Sequence, residues 1–385
     1  MMAPRSNMVS VGAVLASVLV AGCNARDPSP HDAGTSRDGS AHPPGMRPSL
    51  PMDAAVSSGT DAAPPESSQT PVERGEYLVR HLSGCVECHS PRLPSGQFDE
   101  SRLLSGVVNL DDLDPGDPQR GAIHARNLTP DARTGLGAWS DAEIKDAFQH
   151  GMARDGRVLH WSMPYFIYHE MTEPDADAVV AYLRSLPPVE NAIPDRQPLP
   201  VELEEPYHLP HGIVPDSTLS PGHPDYGRTL RGKYLATGAG LCLFCHTARA
   251  ADPGLPLDLE RLLMGRREML PVPLGTVVED DDVPRIQTRN LTPHDTGLGA
   301  WSAGDVANAI RLGVSRDTLP VCDPMPSNFG GSLRGVREQD ALDIGLYLTT
   351  LPPRDSGEIA ACCSACHGPM ADGDAGAVDA DGGCL

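Results

Sequence analysis

Cys85-Val86-Glu87-Cys88-His89, echoed by Cys242-Leu243-Phe244-Cys245-His246, is the stretch from which the chain is read. Cys-x-x-Cys-His is the attachment sequence of c-type haem. Two thiols that add to the two vinyl groups of one porphyrin must lie on one short loop. The histidine that follows is then carried under the iron as its proximal ligand. A single Cys-x-x-Cys also suits a disulfide, half a zinc site or a redox dithiol. Two copies in matching contexts favour haem, with Cys85, Cys88, Cys242 and Cys245 as attachment points and His89 and His246 as iron ligands.

The surroundings of the two motifs repeat. Arg74-Gly75-Glu76-Tyr77-Leu78 precedes the first and Arg231-Gly232-Lys233-Tyr234-Leu235 the second. Arg126-Asn127-Leu128-Thr129-Pro130 matches Arg289-Asn290-Leu291-Thr292-Pro293, and Gly135-Leu136-Gly137-Ala138-Trp139-Ser140 recurs unchanged from Gly297 to Ser302. Met163-Pro164 matches Met325-Pro326; Tyr182-Leu183 and Leu186-Pro187-Pro188 match Tyr347-Leu348 and Leu351-Pro352-Pro353. Trp139 and Trp301 are 162 residues apart, as are Met163 and Met325. This reads as an internal duplication whose two parts share one fold. Ser140 and Glu143 form a capping box that opens a helix ended by Gly151. Val179, Tyr182, Leu183 and Leu186 keep helical spacing from Thr172 to the prolines.

The chain has 385 residues, with 39 prolines, 39 glycines and only 4% aromatic residues. That is thin material for a protein-only core, and a haem in each part would supply an apolar group to pack around. A net charge of −22 excludes phosphate neutralisation as the basis of function, hence nucleic-acid binding. It suits solubility and a basic partner surface.

Residues 1–23 read as a targeting segment. Arg5 is the only charge before Cys23, and the apolar run from Val9 to Val20 is short for a membrane span. Its end, Val20-Ala21-Gly22-Cys23, resembles the bacterial lipoprotein signal, in which the cysteine is lipidated after cleavage. Several acyl chains on Cys23 would anchor the protein stably. Asn24, in place of an aspartate, tilts the expectation toward the outer membrane. Residues 24–70, rich in Pro, Ser, Ala, Asp and Gly, read as a disordered tether. Residues 191–225 read as a proline-rich linker lying on the surface of both parts.

With these motifs assembled, each part resembles a class I cytochrome c, most closely the haem domains of the dihaem and trihaem cytochrome c subunits that serve bacterial membrane dehydrogenases. The resemblance covers about 71–190 and 226–355. It implies an all-α chain of two tandem class I cytochrome c domains behind the tether. First and last helices would cross near Gly75 and Tyr182, and near Gly232 and Tyr347. It places the sixth iron ligand between the tryptophan helix and the closing helix, at Met163 and Met325; Met152, Met171, Met264, Met269 and, in the tail, Met370 are the competitors. Trp139 and Trp301 match the tryptophan that donates to a haem propionate, and Arg126 and Arg289 stand near enough in sequence to join it.

The resemblance implies a lipid-anchored dihaem cytochrome of the bacterial cell envelope, periplasmic in exposure. It would pass single electrons from a dehydrogenase to an oxidase or another acceptor. The alternative is a dihaem redox enzyme of the peroxidase or thiosulfate-oxidising type. Cys322, just before Met325, keeps the second of these open as a thiolate ligand. A third motif, Cys363-Ser364-Ala365-Cys366-His367, stands in the Cys-rich tail 356–385, with 18 residues after it. It is read either as a third haem site or as part of a disulfide cluster with Cys322, Cys362 and Cys384.

Overall fold

Helix α1 (Pro71–Tyr77) starts where Thr70 and Glu73 cap each other, with Pro71 at the first position. It runs on as one wider turn, Leu78–Leu82. These residues belong to a computed structural model, which describes residues 69–108, 123–195, 203–252, 254–269, 286–325 and 331–357. The expected signal segment with Cys23, nearly all of the tether 24–70, and the tail motif Cys363, Cys366 and His367 lie outside the described residues.

The described residues are mainly helical. After α1 come α2 (Cys85–His89), α3 (Asp141–His150), α4 (Tyr165–Tyr168) and α5 (Glu173–Ser185). A second series follows: α6 (Tyr226–Thr237), α7 (Cys242–Cys245), α8 (Ala303–Leu312) and α9 (Glu338–Thr349). The only described strands are the two-residue pair β1 (Glu268–Met269) and β2 (Ile286–Gln287). Capping boxes open α3 (Ser140, Glu143) and α8 (Ser302, Asp305), and left-handed Gly151 and Gly313 end them. Among the described residues no helix is long and apolar enough to cross a membrane.

Two helix crossings organise the series. At Gly75, α1 lies so close to α5 that an added Cβ would collide with the Ala178 carbonyl oxygen and stand 2.8 Å from the Tyr182 Cβ. At Gly232, α6 meets α9 the same way, against the Asp343 carbonyl and the Tyr347 Cβ at 2.9 Å. Only a residue without Cβ allows such backbone approach.

Each crossing carries a buried ion pair that reaches into the other helix pair. Arg74 grips Asp175 with two 2.8 Å hydrogen bonds, and the Tyr234 hydroxyl of α6 donates to the same carboxylate at 2.6 Å. Arg231 holds Asp340 at 2.5 Å, and the Tyr77 hydroxyl of α1 donates to it at 2.6 Å. The two parts thus exchange a tyrosine for a carboxylate in both directions. One continuous hydrophobic core runs beneath, from Leu78, Tyr165 and Phe166 to Leu235, Phe244 and Tyr347. The segment read as a linker packs too: Leu203, Tyr207, Leu209, Ile213 and Val214 rest on that core.

Gly75→Ala is expected to lower unfolding free energy by about 3 kcal/mol through overpacking, measured by denaturant titration. Burial alone would raise the Asp175 pKa, but the hydrogen bonds from Arg74 and Tyr234 outweigh it and hold it low. A depressed folded value gives stability that is complete above the unfolded pKa of about 3.9 and is lost as pH falls through the folded one. Thermal midpoints should therefore fall on acidification below about pH 4. Asp175→Asn should flatten that limb while costing about 3 kcal/mol at neutral pH.

Candidate functional site

The two Cys-x-x-Cys-His motifs fold as single helical turns, which place the first and fourth residues on one face. The turn at Cys85 starts from left-handed Gly84, φ 65°. Cys85, Cys88, Cys242 and Cys245 are all free thiols, so neither motif is a disulfide in this structure. Burial pushes the Cys85, Cys88 and Cys242 thiols up to about 12, and Cys245 up as well. They are protonated at neutral pH, unlike the lowered thiols of redox dithiols.

The histidines are oriented by backbone carbonyls. His89 Nδ1 lies 2.7 Å from the Arg126 carbonyl oxygen, and His246 Nδ1 lies 2.8 Å from that of Arg289. A carbonyl only accepts, so Nδ1 carries the proton and Nε2 is left with its lone pair. Burial lowers both imidazole pKa values against the opposing effect of those hydrogen bonds. The neutral form is the one that ligates a metal.

The carbonyls are held by the residue that follows. Asn127 Oδ1 accepts from the Thr129 N–H and hydroxyl, while its Nδ2 donates to the Val189 carbonyl at 2.8 Å and to Thr134. Asn290 does the same with Thr292, the Arg354 carbonyl at 2.8 Å and Thr296. These buried amides tie each histidine-orienting loop to the segment after the closing helix. Both asparagines fit a glycosylation sequon in sequence, but they are 2% and 0% exposed.

The remaining expected residues are distributed as follows. Met163 and Met325 are half-buried against the core, their N–H groups bonded to His160 and Cys322 carbonyls at 3.0 and 3.1 Å. Met171, Met264 and Met269 are buried core residues. Cys322 is disulfide-bonded; a sulfur so engaged is not a thiolate ligand. Trp139 and Trp301 lie partly buried on the core edge, and Trp139 lines a cleft of about 310 Å³ with Ala153, Arg154, Asp155 and Arg157. The Arg126 side chain turns to the Ile193 carbonyl and Asp195, and Arg289 is exposed. What these arginines give the site on this geometry is their carbonyls.

Sequence reading passed over four residues here. Arg154 and Arg316 donate to the Ala138 and Ala300 carbonyls at 2.8 and 2.9 Å, beside the two tryptophans. Their separation is the same 162 residues that relates the tryptophans, a signal that was available. Glu87, inside the first motif, is 2% exposed and paired with Arg92. Arg267 is buried over the Phe244 ring of the second motif and donates to the Phe244 carbonyl. The donor set in each part is two free thiols, one neutral imidazole with an uncommitted Nε2, and a following thioether. It fits haem c.

No family model matches the chain. It is 31% identical over 295 residues to a dihaem c-type cytochrome of Cereibacter sphaeroides, covering 72% of this chain and 85% of that protein. It is 30% identical over 302 residues to the cytochrome c subunit of a quinone alcohol dehydrogenase of Gluconacetobacter polyoxogenes, covering 76% of this chain and 58% of that one. The gluconate 2-dehydrogenase cytochrome c subunit of Pantoea cypripedii is 29% identical over 301 residues, 74% and 61% of the two chains. The chain thus spans less than two thirds of those two dehydrogenase subunits.

Asn290→Ala would strand buried partners on both sides of the amide. It should cost about 2 kcal/mol and lower the thermal midpoint, with a smaller loss for Asn290→Asp, which keeps the acceptor. Equal midpoints for wild type and both variants would refute the clamp.

Proposed function

The chain belongs to the dihaem c-type cytochrome family, and from that premise we propose that it carries single electrons between a periplasmic or membrane dehydrogenase and a downstream acceptor. Two haems c would be held in tandem class I cytochrome c domains, 71–190 and 226–355. Cys85, Cys88 and His89 would hold the first, with Met163 as sixth ligand. Cys242, Cys245 and His246 would hold the second, with Met325. The observation that carries this reading is an imidazole held through Nδ1 by a backbone carbonyl, directly after a Cys-x-x-Cys pair of free thiols, found once in each part.

When bound, the haem iron supplies one reversible electron at a potential that thioether ligation raises. The protein contributes the rest. The Arg126 and Arg289 carbonyls keep Nε2 aimed and basic, and the loops carrying them are fixed by Asn127 and Asn290. Trp139 and Trp301 would donate to propionates, with Arg154 and Arg316 beside them. No side chain is asked for acid–base work. The disulfide at Cys322 weighs against a thiolate-ligated enzyme. We place the protein in the bacterial cell envelope, lipidated at Cys23. We assign it two haems and leave the tail motif Cys363, Cys366 and His367 without one.

Intact mass and visible spectra of the mature protein should give two haems, a full-intensity near-infrared methionine–iron band, and no high-spin component. Met325→Ala should halve that band, lower one of two midpoint potentials and leave the haem count at two. A wild type in which peroxide changes one haem spectrum and is turned over would sink the carrier reading.

A further inference from the structure

The third residue of each attachment motif reaches across to the other part of the chain. Phe244, between Cys242 and Cys245, packs on Phe166, three residues after Met163, with ring centroids 6.2 Å apart. Glu87, between Cys85 and Cys88, accepts the Ser332 N–H at 2.6 Å. Ser332 opens the short turn Ser332–Gly335 downstream of Met325. The other oxygen of Glu87 pairs with Arg92, whose guanidinium lies 4.1 Å from the Phe98 ring centroid and donates to the Gly96 carbonyl. Arg92 is thereby fixed within the first part and fixes Glu87 in turn. His81, also of the first part, lies with Nδ1 3.1 Å from the Ser332 carbonyl, and Gly335 is tight against its ring. The Asp323 carboxyl, on the other flank of Met325, lies in the field of Arg92 and Glu87.

The Met325 segment needs outside support. Helix α8 ends at Gly313, and the next described helical turn begins at Ser332. Between them the described chain is loop, tied by the Val314–Pro320 bridge and by the Arg316 contact with the Ala300 carbonyl. A neutral thioether bonds iron weakly, so its occupancy depends on how firmly the backbone presents it.

We propose that Glu87 is a positioning residue for the sixth ligand of the opposite haem: from the first haem's attachment motif it holds Ser332, seven residues after Met325, and so anchors the described chain on the far side of that ligand. This rests on Met325 being that ligand. The consequence is directional. If Glu87 acted only through its charge, removing it would raise both haem potentials, because an anion stabilises the oxidised iron. If it positions Met325, removing it lowers the second haem's potential as the thioether bond is lost.

The experiment uses the full haem-loaded chain in a Met163→His background, so that the methionine–iron band reports the second haem alone. Glu87→Ala should cut that band more than twofold and lower the second potential, with two haems still attached. Glu87→Gln keeps a carbonyl acceptor for the Ser332 N–H and should restore both. Ser332→Pro removes the same hydrogen bond from its other end, at a first-turn position that tolerates proline, and should reproduce Glu87→Ala. An undiminished band in both Glu87→Ala and Ser332→Pro overturns the proposal by itself. A rise of both potentials in Glu87→Ala assigns the residue a purely electrostatic role and also overturns it. Absence of the band in the Met163→His parent overturns the Met325 ligation and the proposal with it.

Discussion

The reciprocal exchange of tyrosine for carboxylate is the constraint on which the arrangement of this chain depends. Asp175 and Asp340 are buried anions, and a buried anion is tolerated only when its lone pairs are filled. Each receives an arginine from its own part and a tyrosine from the other, Tyr234 and Tyr77. Neither carboxylate is fully satisfied by its own domain. Separation would expose two phenols and leave each anion one donor short, besides opening the shared apolar core. The two parts are therefore held together and not as beads on a linker. The 203–216 segment adds to this through the Tyr207 N–H on the Tyr165 hydroxyl and the Pro215 carbonyl under Tyr347.

Fixing the parts also fixes the two attachment turns. Leu241 lies against Gly84, the Ser83 hydroxyl donates to the Ala239 carbonyl, and Tyr168 reaches the Ser83 carbonyl from α4. Both Cys-x-x-Cys turns border the same interface. Glu87 and Phe244, inside the motifs, make contacts across this interface besides those with Arg92 and Arg267 of their own parts.

Much of this was legible because local chemistry dictates local spacing. Haem attachment fixes Cys85, Cys88 and His89 within five residues. Capping fixes Ser140 and Glu143. Close backbone contact demands Gly75 and Gly232, each at the crossing expected of it. What escaped reading depends on distance or on the backbone. Tyr77 and Asp340 are 263 positions apart, and no period in either segment announces the other. Arg126 and Arg289 were singled out for their side chains, whereas their carbonyl oxygens orient the histidines. A carbonyl is present at every residue, so sequence gives no sign of which one is used. In segment 191–225, Leu203, Tyr207 and Val214 are partly buried on the core edge, because scattered apolar residues need no periodicity to fill a seam.

Position three of the motif is a charge in one part and an aromatic ring in the other, and each has a buried arginine as companion, Arg92 or Arg267. A carboxylate binds its partner by a directional hydrogen bond, to one backbone N–H. A ring binds by area, with latitude in angle and distance. The directional link runs from the first motif to Ser332, downstream of the Met325 loop, whose described residues 313–325 form no helix and are tied by the Val314–Pro320 bridge and by the Arg316 contact with the Ala300 carbonyl. The looser link serves the Met163 segment, which passes at once into α4 and is held by helical hydrogen bonds of its own. The directional link thus stands beside the loop whose described residues form no helix, and the area contact beside the one that enters α4.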